Sequence, residues 1–134
     1  MISNFNDIVI FDYNCIDNTI LLLNNITFNS TEYNLELTFD YTNVNYLFFR
    51  TLSNKISNSI VFEYKKDIRL VTPTGFVILY NAWLSELNYT DDVSISITLM
   101  YDYIEYHSDK NIFNNYTTHI RNYKLQKIKK KMKK

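Results

Sequence analysis

The sequence predicts a mainly β fold: an antiparallel β-sandwich or small barrel of about seven or eight strands, followed by a basic C-terminal helix or tail. Three observations predict it. Short stretches alternate apolar and polar residues, no strand–helix–strand rhythm is present, and the charge changes sign near the C-terminus.

Taken in chain order, Asp7–Tyr13 and Thr19–Phe28 are apolar runs of strand character. In "NLELTFDY", Leu35, Leu37, Phe39 and Tyr41 share one face, with Glu36, Thr38 and Asp40 on the other, as in a half-buried strand. "YTNVN" reads as a hairpin connection into a strand over Asn45–Thr51, and Ser59–Lys65 and Ile68–Val71 follow as further strands. "TPTG" at Thr72–Gly75 is a turn, because Pro73 fixes φ and Gly75 permits a positive φ. Phe76–Tyr80 is the next strand, and "NAWLSELN" a short helix packing Trp83, Leu84 and Leu87 inward.

The strongest alternation lies in "VSISITLMYDYIEYH". Val93, Ile95, Ile97, Leu99, Tyr101 and Tyr103 fall on one face, with Ser94, Ser96, Thr98 and Asp102 on the other. As one strand this stretch would reach roughly 40 Å. Ile104 and Tyr106 fall on the polar face, a slip that predicts a bulge or a second buried surface. From Ile112 the spacing changes. Ile112, Phe113, Tyr116, Ile120 and Tyr123 recur at three and four, which is helical.

At 134 residues the chain has the length of one domain with a real core. Usage is skewed, with eighteen Asn and sixteen Ile against one Ala, one Gly, one Pro and one Gln. Those preferences follow AT-rich codons, so they point to an AT-rich genome such as that of a large DNA virus, an organelle or a reduced bacterium. No apolar run approaches the roughly 18–20 residues that span a bilayer. The N-terminus lacks the positive region of a signal peptide, so no secretory route is expected. A lone cysteine, Cys15, excludes an internal disulfide framework and reads as a small residue in or beside the core. Four Asn-x-Ser/Thr triplets, at Asn25, Asn29, Asn88 and Asn115, match what chance gives at this composition.

Charge is segregated. Residues 1–118 carry fourteen acids and six bases, a net −8; residues 119–134 carry eight bases and no acid, a net +8. The chain divides into an acidic body (1–110) and a basic helical tail (111–134). Arg121, Lys124, Lys127, Lys129, Lys130, Lys131, Lys133 and Lys134 form the candidate polyanion-binding set, since each phosphate they neutralise releases counterions. A solvated tail, a nuclear-localisation address, an anionic membrane surface and an acidic protein are the other readings of such a run.

Catalytic and metal chemistry find little support. His107 and His119 lack zinc-ligand spacing with Cys15. The pairs Asp91–Asp92 and Asp102 with Glu105 read as turn and surface acids, and His107 as an edge residue. A single glycine excludes phosphate-cradling loops. Neither an enzyme nor a cofactor is therefore expected, and the twelve Tyr read mainly as core or subunit-contact packing rather than base-stacking platforms.

The leading expectation is a non-catalytic, oligomeric subunit of a large assembly, in a virion or intracellular particle: a minor capsid, cement, neck or tail-connector protein. Its basic arm would touch nucleic acid or a neighbouring subunit. A peripheral ribosomal or ribonucleoprotein subunit of an AT-rich organelle is the alternative. A third is a β-sandwich module for host interaction or ligand binding.

Overall fold

The computed structural model describes residues 2–5, 8–13, 19–58, 64–90, 92–109, 111–118, 120–122 and 124–125. Among them the strands are β1 (Ile2–Phe5), β2 (Val9–Tyr13), β3 (Thr19–Leu23), β4 (Ile26–Ser30), β5 (Asn34–Asp40), β6 (Lys66–Thr72), β7 (Gly75–Thr90), β8 (Ser94–Met100) and β9 (Tyr103–His107). The helices are α1 (Asn43–Ser57) and the single turn α2 (Asn111–Asn114). Eight strands pair antiparallel in the order β1-β4-β5-β8-β7-β6-β2-β3, and β9 pairs with β7 off this path. The fold is thus mainly β, as expected, with one open sheet.

That sheet has to curl. β4 and β3 stand six ladder steps apart, about 29 Å in a flat sheet. Yet only Asn24 and Asn25 join them in sequence, and such a link spans about 11 Å at most. Asn25 turns the corner with φ at 50°, and its side-chain amide donates to Asp40 Oδ2 at 2.7 Å. The curl stops short of closure, because β1 and β3 end the ladder unpaired with each other.

Helix α1 fills the hollow of the curl. Thr42 caps it, its hydroxyl accepting the Asn45 N–H at 3.2 Å, and Asn45, Phe49, Leu52 and Ile56 recur at helical spacing on the inward side. Fully buried Phe49 touches Phe11 of β2 at 5.3 Å and Phe39 of β5 at 5.7 Å between ring centroids. One side chain therefore bridges strands four ladder steps apart, which only a curled sheet permits. Asn45, buried, donates to the Leu22 carbonyl at 3.1 Å and ties the helix to β3.

The segment read as a strand over Asn45–Thr51, with "YTNVN" as its hairpin connection, is therefore the cap and first turns of α1. Its inward residues are three and four apart, and burial from both halves of the sheet decides the outcome. The converse error lies in "NAWLSELN", which is strand. In β7 the register against β8 shifts between Leu84 and Glu86, so Leu84 faces Leu99 and Leu87 faces Ile97 on the same side. A bulge at Ser85 thus produces the three-residue spacing that resembles a helix.

β7 is the pivot of the sheet. Its first part, Phe76–Tyr80, pairs with β9, and its later part, Trp83–Thr90, pairs with β8. Between them Asn81 adopts φ of 53°, its N–H donating to Asp67 Oδ1 at 3.2 Å and its amide to Asp102 Oδ2 at 3.1 Å. The long alternating stretch is accordingly two strands, β8 and β9, broken at Tyr101–Asp102. Ile95, Ile97, Leu99 and Tyr101 are buried as expected, whereas Val93 and Tyr103 are exposed. The predicted strand Thr19–Phe28 likewise divides at Asn24–Asn25, and Tyr64 and Lys65 lie outside any strand. Residues 59–63 and Cys15 lie outside the described residues.

Gly75 closes the β6–β7 hairpin without a positive φ. A different constraint acts there: a Cβ at this position would meet the His107 carbonyl oxygen at 2.2 Å. Glycine is required by close approach to the end of β9, not by left-handed backbone.

A second, smaller cluster covers the outer face of β2, β3 and β6. Ile10, Val71 and Tyr116 are its buried members, with Ile112, Phe113 and Ile120 packed against it. The helical spacing read from Ile112 onward thus describes a layer folded back on the sheet. Helical backbone recurs at 117–118, 120–122 and 124–125. Tyr116 donates to Asp12 Oδ2 at 2.8 Å, and Arg69 stands 3.6 Å from the same oxygen. Asp12 and Tyr116 are both buried, and burial, reinforced by the Asp12 carboxylate, pushes the Tyr116 phenol up to about 12.

Candidate functional site

Three surfaces have chemistry to offer. The first is the basic tail. Arg121 and Lys124 are exposed on helical backbone just past the buried Tyr116. Lys127, Lys129, Lys130, Lys131, Lys133 and Lys134 lie outside the described residues. Tyr116 and Ile120 pack on the sheet just before Arg121, and Tyr116 is held there by its hydrogen bond to Asp12.

The second lies where α1 begins and the β7–β8 connection ends. Tyr41 and Tyr46 have ring centroids 5.5 Å apart, and Tyr46 and Tyr89 4.9 Å apart in an edge-to-face arrangement. Arg50, one turn along α1, donates to the Tyr46 hydroxyl at 3.1 Å. The Tyr41 N–H donates to the Val93 carbonyl, which brings Val93 into the same patch. Tyr89 and Val93 are 50% and 68% exposed, and Leu47 on the outer side of α1 is 61% exposed. A hydrogen bond with Tyr46 holds the Tyr89 phenol above its ordinary range; burial, then Asp92, does the same for Tyr41.

Sequence reasoning assigned the tyrosines mainly to core or subunit-contact packing, without saying which belong to either. Among the described ones, Tyr13, Tyr101 and Tyr116 are buried, while Tyr33, Tyr89, Tyr103 and Tyr106 are exposed. The missed signal was topological. Tyr41 and Tyr89 end strands that terminate beside the same helix, and the sequence does not announce which strand ends meet.

The third is a cavity of about 480 Å³ inside the other part of the curl. Phe28 of β4, Leu35 of β5, Leu70 of β6, Val77 of β7 and Ile104 of β9 form its apolar wall. Thr74, Tyr106 and Ser108, all exposed, lie at its mouth. Alternation along β9 turns Ile104 and Tyr106 toward the cavity and Glu105 and His107 outward. There the His107 ring stacks on Phe76 at 4.5 Å and its Nε2 contacts Glu105 Oε1, which also accepts from the Tyr80 hydroxyl at 3.4 Å. Burial, then Glu105, raises the Tyr80 phenol above its ordinary range.

Asp102 and Glu105 serve different partners. Asp102 serves Asn81 and Glu105 serves His107 and Tyr80, while Asp92 sits in the β7–β8 turn with φ of 60° and Asp91 lies outside the described residues. Among the described residues no three His, Cys, Asp or Glu side chains are grouped to hold a metal ion, and no helix is long and apolar enough to cross a membrane. Comparison with family models, curated proteins and solved structures finds no match.

Proposed function

We propose that the protein is a non-catalytic structural subunit of a large assembly, a virion component of the minor-capsid, cement, neck or tail-connector kind. The observation that carries this reading is the Tyr41–Tyr46–Tyr89 cluster, in which half-buried Tyr41 and Tyr46 support exposed Tyr89, with exposed Arg50 and Val93 beside it. Tyrosine and arginine are enriched at the energetic centres of protein interfaces, where a rigid aromatic body buries apolar area at small entropic cost. The curled body, which we read as a sandwich-like or barrel-like shell, presents that patch to a neighbour. The basic arm, anchored by Tyr116, is left to meet nucleic acid or the acidic body of another copy.

Light scattering on the full chain across a concentration series tests the patch. The expected result is concentration-dependent self-association that Tyr46→Ser with Tyr89→Ser abolishes without lowering thermal stability by more than a few degrees. A wild-type chain that stays monomeric at every concentration sinks self-assembly as the reading. The arm is tested by nucleic-acid binding over a salt series, with all eight tail cations replaced by Gln in the comparison chain. Substitution is preferred to truncation after residue 118, which would remove Ile120 from the outer cluster. If every tail cation meets a duplex phosphate, log K falls against log salt with a slope of about −7. Equal binding by the substituted chain removes nucleic acid from the arm's partners.

A further inference from the structure

We propose that the cavity inside the curl is a binding site for a small, elongated, uncharged apolar molecule carrying a hydroxyl or carbonyl at one end. Its volume, about 480 Å³, falls within the range of small-molecule pockets, and its wall is built from Phe28, Leu35, Leu70, Val77 and Ile104. Such a wall rewards an apolar body by removing it from water.

The mouth decides the charge of the ligand. None of the residues lining the cavity is a lysine or an arginine. His107 belongs to the lining as well, but its imidazole is stacked on Phe76, which packs against the outer cluster, and is engaged with Glu105. Arg69 lies on the outer face, beside Asp12. A carboxylate or phosphate drawn into the cavity would therefore lose its water without gaining a cation, a cost that its apolar tail would have to offset. The net −8 of residues 1–118 acts against an anion too. The hydroxyls of Thr74, Tyr106 and Ser108 suit a neutral polar end, since each hydroxyl both donates and accepts.

The mouth is also preformed. At Gly75 the hairpin backbone lies so close to the His107 carbonyl that a Cβ would reach it at 2.2 Å. The hairpin tip and the end of β9 thus brace each other, and little ordering is left for the ligand to impose. This inference does not rest on the assembly reading, because the cavity and the tyrosine patch share no residue.

The experiment titrates the full chain with Nile red, an uncharged apolar dye, and then displaces the dye with decan-1-ol or with decanoate. The expected result is saturable dye binding, displaced by decan-1-ol at a concentration at least tenfold below that required of decanoate. Ile104→Trp, which fills the cavity, should weaken dye binding at least tenfold in a folded chain. Tyr106→Lys, at a position 69% exposed and so tolerant of change, should strengthen competition by decanoate at least tenfold by supplying the missing cation. The proposal is overturned by a wild-type chain without saturable dye binding, or by decanoate competing as well as the alcohol. It is equally overturned by undiminished dye binding in folded Ile104→Trp. Should that variant fail to fold, an unchanged decanoate response in Tyr106→Lys overturns it alone.

Discussion

The two faces of β2 are both buried, but they are held by different physics. Inward, Val9, Phe11 and Tyr13 join a large cluster of aliphatic and aromatic side chains centred on α1. Outward, Ile10 and Asp12 meet a thin layer whose buried centre is one tyrosine bonded to one carboxylate. The inner face derives its strength from area and shape, so its loss should be global. The outer face combines a smaller apolar cluster with the Tyr116–Asp12 hydrogen bond and the nearby Arg69 under a short helical segment, so its loss should be local. The difference predicts that a small sheet can lose its thin outer layer while the larger inner cluster stays intact.

The largest expected effects lie inside. Ile97→Asp would place an unpaired charge on a face 1% exposed, and no soluble cooperative fold should remain. Phe49→Ala removes the ring that bridges β2 and β5 and leaves a cavity, at a cost of about 3–5 kcal/mol. Urea denaturation read by fluorescence and by circular dichroism should show one coincident transition shifted to lower denaturant. Two separated transitions would mean that the halves of the sheet fold independently, and the single-frame view would fall.

The outer face sharpens the comparison with a smaller number. Tyr116→Phe keeps the ring and removes the donor to Asp12, a loss of about 1.5–3 kcal/mol for a hydrogen bond to a charged group. Hydrogen exchange should quicken in residues 111–122 while the amides of β5 and β8 stay protected. The buried phenol has a pH signature, set first by its burial and then by its bond to Asp12. The Tyr116 phenol sits at about 12 when folded, against about 10 in an unfolded chain. Its contribution is therefore complete below pH 10 and lost as pH rises from 10 to 12. Tyr41, Tyr80, Tyr89 and Tyr101 are raised as well, so the informative quantity is wild type minus Tyr116→Phe. That difference should shrink across pH 10–12, and a flat difference would contradict the assigned hydrogen bond.

How much of this was legible in the sequence follows from the range of the interactions. The buried faces of β5 and β8 were read correctly, although β8 was run on into β9, because a one-sided strand writes its burial as alternation, and Leu35, Leu37, Ile95 and Ile97 do so. β2 does not alternate in burial, since the outer layer covers its second face, and its run of apolar residues says only that it is buried. The α1 error followed from reading "YTNVN" as a hairpin connection, although Asn45, Phe49 and Leu52 have helical spacing. The β7 error came from local period: the three-residue step from Leu84 to Leu87 fits a helix or a bulge equally well. Only the pairing partners, Leu99 and Ile97, decide between them. Of the candidate sites, the tail was legible as charge. The cavity was not, because Phe28, Leu35, Leu70, Val77 and Ile104 come from five strands whose meeting depends on the curl.

The edge of the inner frame gives the next step down. Thr42→Ala removes the hydroxyl that accepts the Asn45 N–H, worth about 1 kcal/mol. Because α1 is the centre of the inner cluster, that loss should appear in the global transition. A purely local fraying of Asn43–Tyr46, with the midpoint unchanged, would detach the first turn of α1 from the frame and place Tyr46 on a mobile support.

The smallest expected effect tests where the outer layer ends. Arg121 and Lys124 are exposed, and surface charges contribute little to stability even when an acid is near. Replacing all eight tail cations by Gln should therefore move the unfolding free energy by no more than about 0.5 kcal/mol. It should also leave exchange at Tyr116 unchanged, since the anchor is the hydrogen bond and not the charge. A loss larger than that, diminishing in high salt, would mean that the +8 arm folds onto the −8 body of its own chain. The outer layer would then extend well past Ile120, and a polyanion would have to displace an internal partner before it could bind.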